Sequence, residues 1–162
     1  MRATILPPRG PVAHAPQPLL AAHRAGIHRV DADGQTLELR AGVASAALAR
    51  LLRRYGVTSA AYLSACNPYG VRVGAAANRA AHQALRDALV AADAFVFEGL
   101  TLDPSGARPA QPAWLALGIA LAPARGLAQR FRQNALLFAD DEAVPRLLWL
   151  PRSEAEYAGR RL

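Results

Sequence analysis

The chain has 162 residues, 52% of them hydrophobic, a length that suits one domain with a real core and a composition that excludes a disordered chain. Its lone cysteine, Cys66, excludes an internal disulfide, a Cys-x-x-Cys redox pair and a multi-cysteine zinc site, and the absence of lysine excludes a Schiff-base or P-loop lysine. The net charge of +7 is concentrated in residues 1–56, where eight arginines face only Asp31, Asp33 and Glu38, so a polyanion-binding surface would come mainly from that third.

Five prolines among the first 18 residues deny the backbone donors and helical geometry, and residues 1–24 are expected to be a flexible arm. Met1 to Leu6 meets Pro7 before an apolar region forms, so no secretory signal is read and a cytoplasmic location is the default. No run approaches the roughly 18 apolar residues that span a bilayer, and no membrane partner is expected. Ile27-His28-Arg29-Val30 and Gln35-Thr36-Leu37-Glu38-Leu39 flank Asp33-Gly34, a hairpin signal. A helix over 46–55 follows, capped by Ser45 and ended by Gly56, with Leu48, Leu51, Leu52 and Tyr55 on one stripe.

From Val57 the pattern alternates. A strand is predicted over 58–65, a turn at Asn67-Pro68-Tyr69-Gly70, and a helix over 75–92 buried through Ala81, Leu85, Ala88, Leu89 and Ala92. Phe95 to Glu98 reads as a strand, 103–112 as a polar loop and Trp114 to Leu121 as a buried strand. Pro123 then starts a short helix, and two strands surround Asp140-Asp141-Glu142. The expected fold is a single α+β domain over 25–150 with a tail over 151–162. It has a mainly antiparallel sheet with two helices on one face, a ferredoxin-like βαββαβ order plus a strand, preceded by a hairpin and a helix.

The 64–74 segment joins a strand to the long helix, where backbone N–H groups and the positive helix end can face an anion. It matches neither the P-loop nor the dinucleotide fingerprint. Asn67, Tyr69, Arg72, Asn78, Arg79 and His82, with Gln133 and Asn134 from the turn after the second helix, are the candidate ligand-binding residues. The ligand expected at the Asn67–Gly74 loop is a small anion such as a nucleotide: the amides would hydrogen-bond it, the arginines neutralise it and Tyr69 stack on its ring. Each also has a structural reading: Asn67 and Gly70 as turn-makers, Asn78 as a satisfier of helix-end groups, Asn134 as the left-handed residue closing a helix, and His82 as a half-buried helix histidine. Arg50, Arg53 and Arg54 form either a solvated helix face or a stripe that follows phosphates, the alternative being a nucleic-acid or protein-interaction module that uses the basic amino-terminal third. A hydrolase or transferase using His82 or Cys66 is a third class, without a recognisable triad or nucleophile elbow. No metal site and no cofactor is read, and whether the protein is an enzyme stays open.

Asn67-Pro68, Asn78-Arg79 eleven residues on, and Arg130-Phe131-x-Gln133-Asn134-Ala135 ahead of a strand together resemble a bacterial family, domain of unknown function 3293, over a core of 57–150. The resemblance carries over no activity, substrate or catalytic residue. It implies an aromatic residue where Cys66 stands, an acid and a serine around the proline of Gln111-Pro112-Ala113, and a glycine where Arg132 stands. With Gln111 unable to exchange a proton as an acid would, the chain reads as a binding-only member.

Overall fold

In the computed structural model the described residues are 17–152. The arm over 1–16 and the tail from 153 lie outside them. From Gln17 the chain forms a helix, α1 (Gln17–Ala25), where an arm was expected to continue to residue 24. Pro18 is its second residue, a position whose missing N–H costs the helix nothing because first-turn donors have no partner within it.

Asp33 and Gly34 both take left-handed φ, 52° and 77°, which matches the twist of a two-residue hairpin. They join β1 (Ile27–Ala32) to β2 (Gln35–Leu39). α2 spans Ala46–Tyr55 as expected: the Ser45 hydroxyl accepts from the Leu48 N–H at 3.1 Å, and Gly56 closes the helix at φ 65°. Next come β3 (Ala60–Leu63), α3 (Ala75–Ala91), β4 (Phe95–Leu102), β5 (Gln111–Leu117), α4 (Leu121–Arg130), β6 (Ala135–Ala139) and β7 (Arg146–Trp149).

Several boundaries differ from the sequence reading: β3 covers only 60–63 of the predicted 58–65, and Ala92 ends α3 as an exposed cap rather than as part of its buried stripe. β4 and β5 extend toward the loop between them, with Thr101 opposite Gln111. β5 stops at Leu117 rather than Leu121, because Gly118 turns the backbone at φ 85° and its N–H donates to the Ser59 carbonyl at 2.8 Å. α4 therefore starts at Leu121 and holds Pro123 in its first turn, where proline fits.

All seven strands form one antiparallel sheet in the order β2-β1-β4-β5-β3-β6-β7. The hairpin β1–β2 extends this sheet beyond β4. α3 links β3 to β4 across the intervening β5, and α4 links β5 to β6 across β3. Successive side chains of a strand point to opposite faces, so β3 and β5 feed two cores. Ala61, Leu63, Trp114 and Ala116 pack with Leu85 and Leu89 of α3 and Ala124 and Ala128 of α4. Ala60, Tyr62, Ala113, Leu115 and Leu117 pack on the other face with Leu48, Leu51 and Leu52 of α2. Burial from both sides explains why β3 and β5 read as continuous apolar runs. Each fully buried leucine contributes about 2 kcal/mol.

Candidate functional site

α2 covers only part of its face. Toward α1 the sheet is left with a pocket of about 120 Å³, and the register puts the pocket's side chains in a row. His28 of β1 stands opposite Thr101 of β4, Thr101 opposite Gln111 of β5, Tyr62 of β3 opposite Leu137 of β6, and Leu137 opposite Leu147 of β7. His23 of α1 and Arg108 of the β4–β5 loop complete the wall, and Gln133 enters from the α4–β6 turn.

The Tyr62 ring lies against Gly99, which has no side chain to hold it off. A methyl on Gly99 would stand 2.8 Å from its ring and 2.9 Å from the Arg29 carbonyl. The phenol thereby reaches β4 and β1: its hydroxyl is 3.1 Å from Thr101 Oγ1, which is 3.2 Å from His28 Nδ1, and the Tyr62 and His28 rings meet edge to face at 4.8 Å. His28 is 7% exposed, and its Nε2 is buried with no hydrogen-bond partner among the described residues.

The pocket disfavours the protonated forms of its two histidines. Burial, then the nearby His23, lowers the His28 pKa to about 4. Burial and the Arg108 charge lower that of His23, whose ring rests edge-on against Trp149 at 5.6 Å. Burial raises the Tyr62 phenol, with the Thr101 hydrogen bond opposing it. Asp103 turns its carboxylate into its own loop, accepting from the Ser105 N–H and hydroxyl and the Arg108 N–H at 2.7–3.1 Å. The Ser105 bonds lead in holding its pKa below the usual carboxylate value.

Gln111 and Gln133 tie the pocket to the 64–74 segment. The Gln111 amide donates to Ser64 Oγ at 3.1 Å and to the Cys66 carbonyl at 3.0 Å; the Gln133 amide donates to the same carbonyl at 3.2 Å and to that of Phe131 at 3.0 Å. Ser64 donates to the Pro112 carbonyl and accepts from the Cys66 N–H. Cys66 is buried, and burial raises its thiol pKa against the Ser64 hydrogen bond.

The other residues singled out from the sequence divide between loop closure and solvent. Asn67 and Asn78 bond each other: the Asn67 N–H donates to Asn78 Oδ1 at 2.9 Å, and the Asn78 amide donates to Asn67 Oδ1 at 3.0 Å, which also accepts from the Val73 N–H. Together with two left-handed residues, Asn67 (φ 48°) and Tyr69 (φ 53°), they fix the turn. Tyr69 donates its N–H to the Arg132 carbonyl, and its ring lies under the Arg152 guanidinium at 4.0 Å. Arg152 also donates to Asn134 Oδ1 at 2.9 Å. Asn134 is buried, and the left-handed residue that ends α4 is Arg132, at φ 54°. A left-handed backbone favours glycine, and glycine is the residue that the resemblance implies there.

Arg72 and Arg79 are exposed. His82 lies on the opposite face from the pocket, stacked on Trp114 at 4.3 Å with Nε2 3.3 Å from exposed Glu98. On α2, Arg50, Arg53 and Arg54 are exposed, and Arg54 pairs with Asp33 at 3.2 Å. Of the eight candidates, Asn67, Asn78 and Gln133 gather around the 64–74 segment, Tyr69 and Asn134 meet at Arg152, and only Gln133 lines the pocket. The residues missed were His23, His28, Tyr62, Thr101 and Arg108. One of them left a signal: in Ile27-His28-Arg29-Val30-Asp31-Ala32, His28 shares the buried alternation of Val30 and Ala32, and a polar side chain on a core-facing position needs a reason.

The arrangement defines an α+β domain with a small, mostly apolar pocket that carries several polar side chains between its sheet and helix α1. Residues 63–136 match the family model described as "Protein of unknown function (DUF3293)", the family that the motifs resemble. No curated protein and no solved structure matches the chain. Ser64, Thr101, Gln111 and Gln133 fall inside the matched segment, whereas His23 and His28 fall before it. Among the described residues no helix is long and apolar enough to cross a membrane, and no cluster of His, Cys, Asp and Glu could hold a metal ion.

Proposed function

We propose that the protein binds a small anionic ligand, and that the ligand sits in the pocket behind the 64–74 segment rather than on the outer rim of that loop. The observation that carries this reading is the convergence of His28, Tyr62, Thr101, Gln111 and Gln133 from four strands and a turn on one concavity of about 120 Å³. Packing alone does not call for polar groups at that density, since each must be partnered or cost stability. The Asn67–Asn78 pair then serves the site indirectly, by fixing the loop whose Cys66 carbonyl holds both glutamine amides.

The volume narrows the ligand. Drug-sized ligands occupy pockets of roughly 300–1,000 Å³, whereas a cavity of about 150 Å³ accommodates benzene, so at about 120 Å³ a short chain, or one ring only partly enclosed, fits and a whole nucleotide does not. The nucleic-acid reading rests on Arg50 and Arg53 once Arg54 is paired, and the pocket's convergence outweighs it.

Native mass spectrometry and thermal denaturation across a panel of small metabolites test the proposal. A ligand present at 100 times its Kd is expected to stabilise the fold by about 2.7 kcal/mol, and Gln133→Leu to abolish the gain. A panel without any stabilising compound would remove the reading.

A further inference from the structure

The pocket's ligand can be narrowed further by counting protons. Thr101 Oγ1 is within hydrogen-bond reach of both Tyr62 and His28, yet a threonine hydroxyl carries a single proton. The arrangement that uses every hydroxyl proton has Tyr62 O–H donating to Thr101 and Thr101 O–H donating to His28 Nδ1. The imidazole's own proton is then on Nε2. In the opposite tautomer His28 Nδ1–H and Tyr62 O–H would both donate to Thr101 Oγ1, and the Thr101 proton would have no acceptor in this row. Nε2–H is therefore a buried donor with no protein acceptor among the described residues, on a side chain more than nine-tenths buried. It faces Gly26, where a methyl would stand 3.2 Å away, and Gly26 lines the same pocket.

Three basic side chains, His23, His28 and Arg108, line this pocket, and the one acid among them, Asp103, is engaged by Ser105 and the Arg108 N–H. One permanent cation and one neutral donor match a monoanion better than a phosphate dianion. The remaining wall includes Leu102, Leu137 and Leu147. We infer that the ligand is a compact carboxylic acid in its ionised form, its carboxylate facing the Arg108 guanidinium and accepting from His28 Nε2–H after a side-chain shift that uncovers this closed-off atom, its apolar body against those leucines. This inference rests on the pocket being a binding site.

Benzoate, its neutral isostere benzamide and inorganic phosphate are the probes, titrated into the full chain with the His28 ring nitrogens observed by NMR. Free protein is expected in the Nε2–H tautomer, benzoate to shift that nitrogen, and benzoate to bind about tenfold more tightly than benzamide. Arg108→Gln, on an exposed side chain, brings the two affinities together. Gly26→Ala crowds Nε2 without touching the Tyr62–Thr101 bond and weakens benzoate at least about fivefold, since an obstructed charge-assisted bond is lost. Benzamide binding as well as benzoate, phosphate binding in place of benzoate, or an Nδ1–H tautomer would each overturn the carboxylate inference. If the metabolite panel still yields a stabilising ligand that is not an acid, the pocket stands and this inference falls; if nothing stabilises the fold, both fall.

Discussion

The two faces of the sheet are built to different rules. Under α3 and α4 the chain closes the interior with leucine, alanine and Trp114, and the polar atom that Trp114 brings is used, its indole N–H donating to the His82 carbonyl at 2.9 Å. Under α1 and α2 the same strands give one well-filled half around Leu48 and one half with a histidine, a tyrosine, a threonine and two glutamines around empty space. Since the strands are shared, the difference comes from what the chain places at alternate positions. One face is closed throughout by apolar packing, and the other combines an apolar core with polar side chains gathered at a pocket.

The comparison breaks most readily on the closed face. Leu85 is fully buried, so Leu85→Ala should cost about 3 kcal/mol in denaturant unfolding, the sum of lost transfer energy and a residual cavity. On the pocket face an effect of similar size should come from pH. His28 binds a proton near 6.5 when unfolded but only near 4 when folded. Between those values the unfolded chain takes up the proton first. The stability is thus complete above pH 6.5 and falls by about 3 kcal/mol as pH drops to 4. His23, shifted in the same direction, adds to the loss, whereas Asp103, lowered from 3.8, acts below this window. Unfolding free energies measured from pH 7 to 4 should show this slope, and His28→Gln should flatten it.

Gly99→Ala sharpens the contrast by a smaller margin. Its methyl would press on both the Tyr62 ring and the Arg29 carbonyl, for an expected loss of about 2 kcal/mol. The same substitution should displace the His28 and Thr101 resonances while leaving those of Leu85 and Leu89 in place. The smallest effect is expected at the turn between the faces. Arg132 is exposed and left-handed, so Arg132→Gly should stabilise by about 0.5 kcal/mol, the relief of the left-handed strain less the entropy that glycine adds to the unfolded chain. Thermal unfolding at neutral pH checks the sign.

Much of the scaffold was legible because local chemistry dictates it. Ser45 and Gly56 bound α2, Asp33-Gly34 makes the hairpin, and the α3 stripe buries Leu85 and Leu89. α1 was obscured because its only start signal is a proline, and the end of β5 because Gly118 looked like one residue within an apolar run. The site was far less legible. Asn67, Asn78 and Gln133 do gather, but Asn67 and Asn78 spend their amides on each other. The pocket depends on the pairing of β1 with β4 and β4 with β5, which brings His28, Thr101 and Gln111 together from positions 28, 101 and 111. No local pattern encodes such a row, since it exists only once the sheet has its register.

The location of the ligand is the claim on which the rest depends, and amide and side-chain chemical-shift mapping of the full chain with a stabilising compound tests it most directly. The expected result is a set of shifts at His28, Tyr62, Thr101, Gln111 and Gln133, with Leu85, Leu89 and His82 silent. Shifts confined to Arg72, Arg79 and the rim of the 67–74 loop, with His28 unmoved, would contradict it.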